Sequence, residues 1–129
     1  MYTASTIASF FLELVKNNSV FKQDDESRQR LNNYLYSAQV NYIAKKGIPL
    51  FNDKIYGTKD GCTIRNIDEN YDELLAPKTK TKIKPEDEDF LEKLYKQFEY
   101  ATDENIKEVA QSDPAWQQLF YSNLENLHD

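Results

Sequence analysis

Histidine and cysteine are nearly missing from this 129-residue chain, which has one of each, His128 and Cys62. A single cysteine cannot close an intramolecular disulfide. Hydrolytic triads, histidine-based acid–base pairs and most zinc sites need several such side chains, so those chemistries have no material here. His128 stands next to the final residue, a poor place for a catalytic group. Cys62 has no histidine to activate it and reads as an ordinary buried or half-buried thiol. Only three glycines occur, all isolated, and they cannot build a phosphate-cradling loop. With four prolines, they argue against a loop-rich sandwich and for long regular elements. No apolar run approaches the ~20 residues that cross a bilayer. Residues 1–11 carry no cationic region and no cleavage pattern, so no signal peptide is expected and the chain is read as cytoplasmic. Neither a catalytic residue, a metal ligand nor a cofactor site is expected.

What is present is apolar, aromatic and periodic. Hydrophobic residues make up 40% and aromatics 13%, with nine Tyr and seven Phe, enough for one core. The length fits a single domain over 1–129. Ile7, Phe10, Phe11, Leu14 and Val15 recur at the spacing of one helical face, with Thr3 or Ser5 as cap and Asn17-Asn18 as stop. A longer helix is predicted from about Glu26 to Lys46. Its stripe is Leu31, Tyr34, Leu35, Ala38 and Tyr42, widened by Ile43, and it ends at Gly47 with Pro49 beyond. Tyr34 and Tyr42 fall on the stripe, whereas Tyr36 lies off it and is a surface and interface candidate.

Asp53–Tyr56 and Cys62–Ile67 flank the turn signal Asp60-Gly61 and predict a small β-hairpin. Asp68–Leu75 predicts a short helix with Tyr71, Leu74 and Leu75 inward. From Pro77 to Pro85, lysines 78, 80, 82 and 84 alternate with Thr79, Thr81 and Ile83, as in an exposed edge strand or a solvated linker. Pro85 opens a helix whose first turn, Glu86 to Asp89, complements its positive end. Leu91, Leu94, Tyr95 and Phe98 form its stripe. Asp103 is the expected cap of a helix carrying Ile106, Val109 and Ala110. Asp113-Pro114 opens a last helix with Trp116, Leu119, Phe120 and Leu127 inward. The expected fold is mainly α, five to six helices around one core, with a small β-hairpin near residues 53–67.

Charge divides the chain. Residues 1–84 carry 13 Lys/Arg against 10 Asp/Glu, a balance of +3, and residues 85–129 carry 3 Lys against 12 Asp/Glu, a balance of −9. The net charge of −6 repels phosphate backbones, so nucleic acid is a disfavoured partner for the chain as a whole. The acidic third either keeps the protein in solution or steers a basic partner.

The stretch Arg30-Leu31-Asn32-Asn33-Tyr34-Leu35-Tyr36-Ser37-Ala38-Gln39, followed by Gly47-Ile48-Pro49-Leu50-Phe51, resembles the SocA-like, or Panacea, antitoxin domain of toxin–antitoxin systems and phage-associated proteins. Phe10-Phe11-Leu12-Glu13-Leu14 is similar to the Phe-Leu-Glu-like end of that family's first helix, and Ser112-Asp113-Pro114-Ala115-Trp116 to its acidic-Pro-Trp motif. The order of landmarks agrees over nearly the whole chain. Asp60-Gly61-Cys62-Thr63 keeps only the glycine of the family's Tyr-Gly-Pro-Val turn, Thr58 stands at its Trp, and Asn32-Asn33-Tyr34 replaces the usual Lys-Leu.

The resemblance implies a protein-binding antitoxin that neutralises a toxin encoded beside it, with one branch of the family delivering its toxin to a protease. Together with the missing chemistry and the short apolar runs, no enzymatic activity, no cofactor and no membrane contact are expected. The partner surface is expected between Tyr36 and Arg65, on Tyr36, Lys45, Lys46, Lys54, Lys59 and Arg65. A nucleic-acid-binding regulator using the lysines of 78–84, a phage-associated accessory protein, and an enzyme built on carboxylates or Cys62 are the competing readings.

Overall fold

The structure, a computed structural model, is described here for residues 1–15, 21–59, 61–76, 82–99 and 101–112. Helix α1 (Ala4–Leu14) is capped by Thr3, whose hydroxyl accepts the Thr6 N–H at 3.1 Å. Helix α2 (Asp25–Lys46) is capped by Asp24, whose carboxylate accepts the Ser27 N–H at 2.7 Å. That bond holds the Asp24 carboxyl below its ordinary pKa. Gly47 ends α2 at φ +75°, the left-handed conformation in which glycine pays no Cβ penalty. Strands β1 (Ile55–Thr58) and β2 (Gly61–Ile64) form an antiparallel hairpin pairing Tyr56 with Thr63 and Gly57 with Cys62. Helices α3 (Arg65–Glu69), α4 (Tyr71–Leu75), α5 (Pro85–Glu99) and α6 (Asp103–Ser112) follow. The fold is mainly α with a small hairpin, and among the described residues no helix is long and apolar enough to cross a membrane.

One apolar cluster runs through α1, α2, α4 and α5. At its centre Tyr34 stacks on Phe98, centroids 4.1 Å apart, and Phe11 and Phe21 meet the Tyr34 ring edge-on. These offset and edge contacts suit the charge distribution of aromatic rings. The α2 stripe of Leu31, Tyr34, Leu35, Ala38 and Tyr42 is buried as its spacing predicts, and so are Leu91, Leu94, Tyr95 and Phe98 of α5.

Several expectations are corrected. Ile43 does not widen the stripe, being 43% exposed near the free end of α2. Leu14 and Leu75 are only half-buried. Residues 65–75 form two short helices rather than one, with Asn70 between them. Ile83 is buried between exposed Lys82 and Lys84, so this part of the lysine-rich stretch is neither solvated linker nor edge strand. Asp87 stands in the acidic first turn of α5 as expected, but not at the surface. It is buried, accepting the hydroxyls of Tyr2 at 2.6 Å and Tyr42 at 3.1 Å. The cap of α6 is Thr102, whose hydroxyl accepts the Asn105 N–H, while Asp103 is the first helical residue and binds Arg30. The expected Asn17-Asn18 stop, Asp60, Lys78 to Thr81, the helix from Asp113-Pro114 with its apolar residues, and His128 lie outside the described residues.

Candidate functional site

The hairpin is held to the N-terminal half of α2 by side-chain amides. Asn32 Oδ1 accepts the Ile64 N–H at 3.0 Å, and Asn33 Oδ1 accepts the Cys62 N–H at 3.1 Å. Gln29 Nε2 donates to the Cys62 carbonyl at 2.7 Å. The edge of β2 that does not face β1 is thus satisfied by a helix and not by a third strand, which removes the hazard of an open sheet edge. Asn32 Nδ2 also donates to Asp68 Oδ1 at 2.8 Å, so α3 joins the same network. Gly61 has φ +128°, and a Cβ built there would lie 2.1 Å from Asn33 Oδ1. Glycine is therefore required at 61 both by backbone conformation and by close approach.

Cys62 is fully buried in this interface, and its thiol donates to the Asn32 carbonyl at 3.0 Å. Burial, and after it the Asp68 charge, push the Cys62 thiol up, which favours the unreactive protonated form. Tyr36 packs beside Cys62 and is 3% exposed. The expectation of Tyr36 as an exposed contact residue is corrected. The off-stripe face of α2 is a second buried face, turned to the hairpin.

The opposite face of the hairpin is open to solvent. Side chains alternate along a strand, so Lys54 and Tyr56 share one face, and Thr63 and Arg65 share it across the ladder. Continuing the register one step beyond Ile55 and Ile64 brings Lys54 level with Arg65. The Lys54 ammonium sits 5.0 Å and the Arg65 guanidinium 5.9 Å from the Tyr56 ring centroid. Both distances fall within cation–π range. Neither cation has a carboxylate within ion-pair distance among the described residues. A hollow of about 190 Å³ opens between them, bounded also by Asp53, Ile64 and Asn66. Tyr56 and Arg65 separate it from a second hollow of about 350 Å³, lined by Thr63, Asp68 and Glu69.

The six sequence candidates therefore separate. Lys54 and Arg65 come together over Tyr56. Lys59 is exposed past the end of β1. Lys45 and Lys46 instead engage α5, Lys45 over the Phe90 ring at 5.4 Å and Lys46 to Glu86 at 3.8 Å. Tyr56, absent from the predicted surface, is its organising ring. The signal was available in its two-residue spacing from Lys54 on a strand, and the missing piece was the register that delivers Arg65.

Two other depressions frame α6. A polar cleft of about 470 Å³ is crossed by Arg30, whose guanidinium makes a two-pronged contact with Asp103 at 2.7 and 2.8 Å. That hydrogen bond raises the Arg30 pKa, and its geometry ties α6 to α2. An apolar groove of about 370 Å³ runs between α2, α5 and α6, past Val40, Leu94, Phe98 and Ile106. Among the described residues no group of three or more His, Cys, Asp or Glu side chains is arranged to hold a metal ion.

No protein-family model matches this chain, and neither a curated protein nor a solved structure matches it.

Proposed function

We propose that this chain is a protein-binding, antitoxin-like module that neutralises a cognate toxin by direct contact. The observation carrying the reading is the exposed pair Lys54 and Arg65 over Tyr56, cations without carboxylate partners among the described residues, on a hairpin whose other side is locked to α2. Tyrosine and arginine are enriched among residues that dominate binding energy, and a pre-ordered surface loses little entropy on association. The SocA-like order of landmarks supplies the toxin as the kind of partner. Lys59, next along the chain, extends the cationic surface. Lys45 and Lys46 form a second exposed cationic group at the end of α2.

Co-expression with the product of the adjacent gene tests this. Rescue of growth from a toxic neighbour, with a complex recovered on purification, is the expected result. A harmless neighbour and no complex would remove the reading. The toxin's level during rescue separates two modes of action: a steady level means direct neutralisation, and a falling level means delivery to a protease.

A further inference from the structure

We infer that the hollow between Lys54 and Arg65 takes an aspartate or glutamate side chain from an acidic segment of the protein partner, an inference that rests on the protein-binding reading. Three features favour a carboxylate. The two cations converge on one ring, and neither is neutralised by a carboxylate among the described residues. Among the described residues one carboxylate borders the hollow, Asp53, and it already accepts two N–H groups. Its Oδ1 accepts the Ala4 N–H at 2.9 Å and its Oδ2 accepts the Asn66 side-chain N–H at 2.8 Å. These neutral donors orient Asp53 and leave its charge in place, so the hollow is bordered by two cations and one carboxylate, a net positive charge beside an aromatic wall, where a further carboxylate gains charge-assisted hydrogen bonds from a planar guanidinium.

The surroundings distinguish a protein carboxylate from a nucleic-acid backbone. Beyond the Tyr56–Arg65 ridge, the neighbouring hollow is bordered by Asp68 and Glu69. A strand of successive phosphates leaving the first hollow across that ridge would meet these negative groups. The chain's net charge of −6 adds to the repulsion. A single carboxylate on a peptide meets only the local cations, and the rest of the peptide is free to be neutral or basic there.

The test uses the full chain and a fluorescein-labelled octapeptide of alternating Glu and Ala, with a Gln–Ala octapeptide as its uncharged counterpart, followed by anisotropy at low salt. The expected result is binding of the Glu peptide and none of the Gln peptide. The Lys54→Glu/Arg65→Glu double variant should bind at least about tenfold more weakly. A Lys93→Glu/Lys96→Glu double variant makes the same change in net charge at exposed positions on α5 and should stay within about twofold of wild type, because distant exposed charges are screened. Circular dichroism checks folding, and Lys54→Gln/Arg65→Gln replaces the reversal if that variant misfolds. No binding to wild type, or equal loss in both double variants, overturns the inference. So does displacement of the peptide by a single-stranded oligonucleotide whose own binding is lost in the Lys54/Arg65 variant.

Co-purification with the neighbouring gene's product separates this inference from the proposed function. Capture that the Lys54/Arg65 variant leaves unchanged sinks the carboxylate site and keeps the protein-binding module. Binding of the Glu peptide without capture of the neighbour by wild type keeps the carboxylate site and removes the neighbouring toxin as its partner.

Discussion

The two sides of the β1–β2 hairpin differ in residue type, with Gly57, Cys62 and Ile64 on one and Lys54, Tyr56, Thr63 and Arg65 on the other, and both involve polar groups. Toward α2, amide, thiol and backbone groups meet one another at hydrogen-bond distance, as in Asn32 to Ile64, Asn33 to Cys62, Gln29 to Cys62 and Cys62 to Asn32. Toward solvent, Lys54 and Arg65 hold full charges over Tyr56 with no carboxylate partner among the described residues. Buried polarity must be satisfied or it costs free energy, whereas exposed charge costs nearly nothing and stays available. Polarity toward α2 therefore specifies docking, and polarity on the outer face is left exposed.

Substitutions can break that contrast, and their effects should descend in a definite order. Leu35→Ala, on the apolar side of α2, sets the upper scale at about 2–5 kcal/mol because Leu35 is fully buried. Urea unfolding would measure it, and an unchanged midpoint would mean that the helix face is wrongly assigned. Gly61→Ala should follow at roughly 2–4 kcal/mol, since it combines a disfavoured backbone conformation with a Cβ only 2.1 Å from Asn33 Oδ1. Asn33→Ala in the same chain would relieve the clash but not the backbone strain. Rescue by that second change, read by thermal melting, would tell the two causes apart.

Asn32→Ala should cost about 1–3 kcal/mol, leaving the Ile64 N–H and Asp68 without their shared partner. Hydrogen exchange should speed up at Ile64 before it does in α1. Exchange that stays slow at Ile64 would show that the amides are not what holds the hairpin.

At the Tyr2–Asp87–Tyr42 node the lever is pH. Tyr42 is pushed from 10.0 up to about 12, first by burial and then by its hydrogen bond to Asp87. A group whose pKa is raised by folding stabilises fully below its unfolded value and loses that contribution as pH climbs to the folded one. Stability should therefore be level up to about pH 10 and fall between about 10 and 12, and Tyr42→Phe should lessen that fall without abolishing it, because burial also raises Tyr34 to about 12. A melting temperature that falls equally in both proteins would discard the assignment.

At the small end, Lys54→Ala and Arg65→Ala should each change stability by less than about 0.5 kcal/mol, because both side chains are exposed. A large loss of stability in either would mean that the outer face is structural after all.

Much of the helical framework was legible from spacing alone. The stripes through Ile7 and Phe11, Leu31 to Tyr42, and Leu91 to Phe98 face the core because apolar residues at helical intervals leave no other way to bury them. Tyr36, Asn32 and Asn33 escaped that logic. They lie off the stripe, and asparagine is ordinarily a surface residue, so nothing in the local pattern marks them as buried. Only the arrival of β2 against α2 supplies their partners. The burial of Asp87 was hidden for the same reason, since its place in the acidic first turn of α5 does not tell that Tyr2 and Tyr42 lie beside it. Of the candidate site, the lysines and arginine were visible but their grouping was not.

By itself, the order of residues determined where helices start and stop, through Thr3, Asp24, Gly47 and Pro85, and which of their faces are apolar. Those are short-range matters of capping, backbone conformation and periodicity. The tertiary structure alone decided which polar residues are buried and which cations meet, because residues far apart in the chain become neighbours only once strand register and helix packing are set. Lys54, Tyr56 and Arg65 form one site for that reason, and Lys45 and Lys46 belong to another.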